Sequence, residues 1–189
     1  MPNLYIIAGC NGEGKTTASL TVLPDVLNCF EFINADNIAK GLSPFNVEGV
    51  AIEAAKIMLN RIEELITKGV DFAIETTLAS KTYAALIKRV KLLGYEVHLI
   101  FFWLNTVDLA IERVKQRVLN GGHNMPLDII KRRYKNGLKN LNLIYASIVD
   151  SWTIYDNSNN FPLQIAKKFN NDELIVNNTN IFNIITNEK

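Results

Sequence analysis

Eight residues near the start of the chain, Gly9-Cys10-Asn11-Gly12-Glu13-Gly14-Lys15-Thr16, restrict the possible folds more than any other stretch. They satisfy the spacing G-x-x-x-x-G-K-[ST] and stand where that spacing has meaning. An apolar run, residues 4–8, ends just before them, and a stretch of helical character opens at Lys15. Glycines let the backbone curl until successive N–H groups point inward, and the helix N-terminus behind the curl adds partial positive charge. Such a turn cradles a polyphosphate. With ATP as the expected ligand, Gly9, Cys10, Asn11, Gly12, Glu13, Gly14, Lys15, Thr16 and Thr17 become the expected nucleotide contacts. Lys15 is placed to reach the β- and γ-phosphates and the Thr16 hydroxyl to ligate Mg²⁺. The plainer reading is a glycine-rich strand-to-helix connection. Glu13 is out of character: facing solvent it costs little, but facing inward it would repel phosphate, and sequence alone leaves the choice open.

A chain of 189 residues most simply forms one domain with a sizeable core. Hydrophobic residues make up 48% and charged residues 21%, the proportions of an ordinary soluble globular protein. Lys plus Arg number 20 against 19 Asp plus Glu, so no global field recruits nucleic acid or an anionic membrane. No apolar stretch is long enough to span a bilayer, and the N-terminus opens directly on the strand-like run without a secretory pattern. Cys10 and Cys29 lack metal-ligand spacing and read as reduced thiols. A cytoplasmic protein with neither a nucleic-acid nor a membrane partner is the expectation.

Short apolar runs at residues 4–8, 31–34, 71–75, 96–104 and 153–156 alternate with longer stretches of helical period. That alternation predicts a five-stranded parallel sheet with helices on both faces, the three-layer α/β arrangement of P-loop proteins. Helices are expected from Lys15 to about Leu23, where Pro24 discourages continuation, and over residues 47–67, 81–93, 106–120 and 127–146. Residues 106–146 form a candidate helical lid. The asparagine-rich end, about residues 159–189, reads as a peripheral hairpin with strands near 164–169 and 173–177.

In a sheet of this kind ligands bind beyond the C-terminal strand ends, and two carboxylates are expected there. Asp36 follows the second strand in Asn34-Ala35-Asp36. It can accept a proton from an attacking hydroxyl, or merely N-cap a turn over residues 37–41, and spacing does not separate these roles. Glu75 ends the third strand, where a carboxylate can hold Mg²⁺ through water or bind substrate hydroxyls; the plainer role is a solvated strand end.

Arg113 and Arg117 share a helix face, and Arg132 and Arg133 lie beyond the glycine-containing loop 121–126. A lid carrying them could bring guanidinium groups to a transferring phosphoryl, although solvated basic faces would look the same. His123 within the loop could touch phosphate or substrate. Trp103 and Trp152 read as core. Asp156-Asn157-Ser158, after the last strand, falls where many P-loop kinases contact adenine, with ordinary turn chemistry as the alternative.

Taken in order, these stretches resemble the zeta-toxin family of P-loop kinases. The resemblance rests on Ala8 through Thr17, Asn34-Ala35-Asp36, and Glu75-Thr76-Thr77-Leu78. It continues through Arg117 with Gly121-Gly122-His123-Asn124-Met125-Pro126, Arg132-Arg133-Tyr134, and Tyr155-Asp156-Asn157-Ser158, covering roughly residues 4–158. It implies phosphorylation of a small hydroxyl-bearing substrate, UDP-N-acetylglucosamine in true zeta toxins, and an antitoxin partner. It also implies Asp36 as catalytic base, Glu75 with Thr77 as substrate-holding pair, and Arg117 facing the γ-phosphate. The toxins' second lid arginine is replaced here by His123, so Arg132 or Arg133 is left to supply that charge. The basic substrate contact after the Glu-x-Thr segment has no clear counterpart, Lys81 being only nearby. The alternatives are an ATP-binding switch or regulatory ATPase, in which Asp36 only caps a turn, and an inactive ATP-binding relic.

Overall fold

The computed structural model describes residues 1–122, 124–159 and 161–187. In chain order the elements are β1 (Asn3–Ala8), α1 (Lys15–Asp25), β2 (Phe32–Ile33), α2 (Ala35–Leu42), a 3₁₀ turn (Glu48–Val50) and α3 (Ala51–Lys68). Next come β3 (Phe72–Thr76), α4 (Thr82–Leu92), β4 (Glu96–Trp103), α5 (Val107–Leu119) and α6 (Leu127–Asn140). A π-helical turn (Leu141–Tyr145) leads into α7 (Ala146–Ile148), then β5 (Ser151–Asp156), β6 (Leu163–Lys168), β7 (Leu174–Val176) and α8 (Thr179–Asn187).

The strands form one sheet in the order β2-β3-β1-β4-β5-β6-β7. The first five in that row run parallel, with Ile6 opposite both Ile74 of β3 and Leu99 of β4. The parallel five-stranded core is as expected. The C-terminal hairpin is not peripheral, however: β6 pairs antiparallel with β5, and β7 with β6, so the sheet has seven strands. β5 would otherwise be an open parallel edge, and an edge strand with unpaired N–H and C=O groups is a template for unwanted pairing.

β1 is buried at Leu4, Ile6, Ile7 and Ala8, because a central parallel strand is covered on both faces. On one face Leu4, Ile6, Phe72, Ile74, Leu99 and Phe101 pack with Met58, Ile62 and Leu65 of α3, Ile87 and Val90 of α4, and Ile185 of α8. On the other, Ile7, Ala73 and Phe102 meet Leu23 of α1. A separate small core holds the lid: Ala110, Ile111 and Val114 of α5, with Ile130 of α6, Leu104, Met125 and Cys10 of the glycine-rich turn.

Three local expectations change. α1 runs through Pro24 to Asp25, since a proline in the last turn forfeits one hydrogen bond without interrupting a longer helix. Residues 35–42 form a two-turn helix instead of a brief turn. The long helix from Leu127 is broken by the π turn, which aims two polar side chains at the connection after β3. There Asn140 Nδ2 donates to Leu78 O at 2.7 Å and Tyr145 Oη to Ser80 O at 2.6 Å. Leu78 itself sits at φ +53°, a conformation that costs a leucine energy, and its carbonyl is fixed by the Asn140 bond. No helix among the described residues is long and apolar enough to cross a membrane.

Candidate active site

The C-terminal ends of β1, β2, β3 and β5 carry the residues singled out in the sequence, and three neighbouring cavities open above them. A cavity of about 320 Å³ is lined by Asn11, Gly12, Gly14, Lys15, Thr16, Thr17, Asn34, Asp36, Asn37, Glu75, Arg113 and Arg117. A second, about 200 Å³, shares Asn11, Lys15, Asn34, Asp36 and Glu75 with it and adds Thr77, Tyr83 and Arg133. A third, about 470 Å³, continues from Asp36 and Arg133 along Ala39, Val47, Ala51, Met125 and Ile129 to Arg132.

The first cavity has the chemistry of a polyphosphate site. α1 begins at its wall with no side chain among the described residues capping it and no acidic residue in its first turn, so its leading amides and dipole are open to an anion. Lys15 is buried at the floor, its Nζ donating to Cys10 O at 2.7 Å and lying 3.8 Å from Glu75 Oε1. The Thr16 hydroxyl donates to Glu75 Oε2 at 2.7 Å. That hydroxyl and carboxylate are the hard oxygen donors that Mg²⁺ prefers, with the remaining positions normally filled by water and phosphate. Among the described residues no group of three or more His, Cys, Asp or Glu side chains forms an all-protein metal cage. The donors fit a phosphate-bridging cation.

Glu13 points neither into the phosphate cavity nor to solvent. It is buried beneath the turn, with Oε2 lacking a hydrogen-bond partner among the described residues and filling the space a side chain at Gly9 would need. A Cβ on Gly9 would lie 1.8 Å from that oxygen and 2.4 Å from Phe102 O, and Gly9 has φ +139°, so only glycine fits. Burial pushes the Glu13 carboxyl up to about 8, against the opposing pull of Lys15, the Cys10 backbone and Arg113. Burial thus favours its neutral form, which does not repel phosphate. Cys10, expected among the nucleotide contacts, sends its side chain into the lid core, where burial raises the thiol to about 12 and Sγ approaches Ile130 O at 3.5 Å.

At the end of β2 the two roles weighed for Asp36 fall to different residues. Asn34 is the N-cap of α2, its Oδ1 accepting from Asp36 N at 2.8 Å and Asn37 N at 3.1 Å. The Asp36 carboxylate is not needed as the cap; the residue is exposed and lines all three cavities. Asn34 also donates through Nδ2 to Glu75 Oε2 at 2.7 Å. Thr77 lines the second cavity with Glu75, and its carbonyl is approached so closely by Gly137 of α6 that a Cβ there would lie 2.6 Å away.

The lid arginines separate. Arg117 lines the first cavity, Arg133 the second and third, and Arg132 only the third of the three. Arg133 donates to Asn11 Oδ1 at 3.0 Å. Arg113 joins Arg117 at the phosphate cavity and binds two carbonyls after β5, Asn157 O at 2.8 Å and Ser158 O at 3.1 Å. The Asn157 side chain donates back to Glu13 O at 2.6 Å. Asn157 thus clamps the glycine-rich turn, a contact that adenine recognition did not anticipate. His123 lies outside the described residues. Arg113 and Asn34 stand among these residues although the motifs gave them little weight; Asn34 is a cap-type residue, but the stretch after it reads in sequence as a turn capped by Asp36.

The sequence pattern of the family described as Zeta toxin matches residues 1–167. An uncharacterized protein of Haemophilus influenzae is 32% identical over 126 residues, covering 67% of this chain and 88% of its own length. The crystal structure of AvrRxo1-ORF1:-ORF2 with ATP superposes with a TM-score of 0.80 at 15% identity, over 100% of this chain and 64% of that one. This chain therefore spans just under two thirds of that protein. The PezAT toxin–antitoxin system of Streptococcus pneumoniae gives a TM-score of 0.65 at 20% identity, over 88% and 72% of the two chains. At these identities the structural likenesses establish the fold, that of the P-loop kinases.

Proposed function

The chain belongs to the zeta toxin family, and on that premise we propose that it transfers the γ-phosphoryl group of ATP, with Mg²⁺, to a hydroxyl of a small molecule. The observation that carries this reading is the position of Asp36. With Asn34 capping α2, the Asp36 carboxylate stands at the junction of the phosphate cavity and the two cavities beyond it.

The turn amides, the α1 N-terminus and Lys15 bind the triphosphate. Thr16 and Glu75 would hold Mg²⁺, which would supply charge neutralisation on the phosphates. The acceptor hydroxyl lies in the second cavity, oriented by Glu75 and Thr77. Asp36 accepts its proton as the new O–P bond forms and the bond from Pγ to the bridging oxygen of ADP breaks. Arg117 and Arg133 face the charge that spreads over the transferring group. A nucleotide sugar such as UDP-N-acetylglucosamine is the first acceptor to test, because the third cavity extends the second toward Arg132. An antitoxin partner is part of the proposal, supported by the likeness to a toxin–antitoxin system, as is a cytoplasmic location.

The test is incubation with γ-labelled ATP and a panel of nucleotide sugars and other hydroxylated metabolites. Label recovered in an organic phosphate ester supports the proposal; release of inorganic phosphate alone, unaltered by any acceptor, points to an ATPase or switch. Arg113 offers a separate measurement. Its replacement by alanine removes two charge-assisted hydrogen bonds to the Asn157–Ser158 backbone and frees the clamp on the turn. It should raise KM for ATP by about tenfold, roughly 1.4 kcal/mol. An unchanged KM would remove Arg113 from the nucleotide site.

A further inference from the structure

Asn34 is buried, and both ends of its carboxamide are engaged. Oδ1 accepts from the Asp36 and Asn37 amides, which fixes the first turn of α2. Nδ2 donates to Glu75 Oε2 at 2.7 Å and reaches Thr16 Oγ1 at 3.5 Å. One planar group thus connects the end of β2, the end of β3 and the first turn of α1. Glu75 Oε2 receives two donors, Thr16 Oγ1 and Asn34 Nδ2, so the rotation of its carboxylate is defined from two sides.

We propose that Asn34 is a positioning residue for phosphoryl transfer: its single carboxamide holds the Glu75 carboxylate at a fixed distance and angle from the helix that presents Asp36. The inference rests on the phosphotransferase reading and deepens it. Cation-binding oxygens are held to geometry by the groups hydrogen-bonded to them, and loss of such a group costs about 10–100-fold in metal affinity. A plain helix cap would leave the cation untouched, because capping uses only the oxygen end of the amide.

Asn34→Asp separates the two ends. Aspartate is as good an N-cap as asparagine, so α2 keeps its cap. It cannot donate to Glu75 as a carboxylate, and it sets a like charge against it. Asn34→Ser retains the cap with a shorter side chain and no added charge. The measurements are thermal midpoint and ATP affinity, the latter by calorimetry in excess Mg²⁺ and again in EDTA, for wild type, Asn34→Asp, Asn34→Ser, Glu75→Gln and the Asn34→Asp/Glu75→Gln double variant.

Asn34→Ser is expected to melt near wild type and Asn34→Asp below it, because a second carboxylate is buried beside Glu75, while in both the gain in ATP affinity conferred by Mg²⁺ falls about tenfold or more. The double variant is expected to lose little beyond Glu75→Gln alone, because the two residues act through one oxygen pair. A wild-type Mg²⁺ gain in both Asn34 variants overturns the inference and leaves the function standing; so do losses that add fully in the double variant. If Asn34→Asp does not fold, Asn34→Ser decides by the same criterion. Failure of the wild-type protein to bind ATP at all overturns the function and this inference together.

Discussion

Replacing Asp36 with alanine is expected to slow phosphoryl transfer to a hydroxyl acceptor by about 10²–10⁴-fold, the usual contribution of a positioned general base. ATP affinity should change little, because the phosphate cradle is built by the turn, α1 and Lys15. The fold should also survive, since Asn34 provides the α2 cap and Asp36 is exposed. Label transfer from γ-labelled ATP, read beside nucleotide binding and thermal melting, checks all three. A variant that melts as wild type, binds ATP and still transfers label at the wild-type rate would exclude Asp36 as base. Coincident loss of folding would show that its role is structural.

The second large effect concerns Glu13. A carboxyl whose folded-state value is raised from 4.5 to about 8 favours the folded protein below its unfolded value. That advantage is lost as pH rises through the folded value, because the unfolded chain releases the proton first. Wild type is therefore expected to lose roughly 3 kcal/mol from this group between pH 5 and pH 8. Glu13→Gln cannot ionise and should escape the loss. Any fixed cost of burying the glutamine amide is the same at both pH values, so the difference between the two slopes isolates the ionisation. Urea midpoints of the two proteins at pH 5 and pH 8 make the comparison. Parallel slopes would mean that Glu13 titrates as an ordinary solvated carboxylate and is not enclosed beneath the turn.

Much of the architecture was legible because it is written in local pattern. The central strands β1, β3 and β4 are built around apolar runs of Ile, Leu, Phe and Val, and α3 ends at Lys68-Gly69, where Gly69 adopts the left-handed conformation. The phosphate turn needs only its own eight residues. What escaped depends on partners distant in sequence. The β5–β6 pairing joins residues such as Thr153 and Lys167, and no local signal shows that a polar hairpin will extend a parallel sheet. α2 is short, and its Ala-Asp-Asn start looks like a turn until Asn34 is seen to cap it. The π turn exists to bring Asn140 and Tyr145 to Leu78 and Ser80, more than sixty positions upstream. Glu13 illustrates the same limit: its burial follows from Gly9 having no side chain, a fact about the space inside the turn and not about the octapeptide.

Cys10 belongs to two bodies at once. Its backbone forms part of the phosphate turn, while its side chain is packed among Ala110, Val114 and Ile130 of α5 and α6. Swinging those helices fully clear would wet this apolar seam, at about 0.8 kcal/mol for each methylene-sized group exposed. The arginine-bearing helices are thus anchored to the phosphate turn at one end by an apolar contact whose rupture would carry that cost.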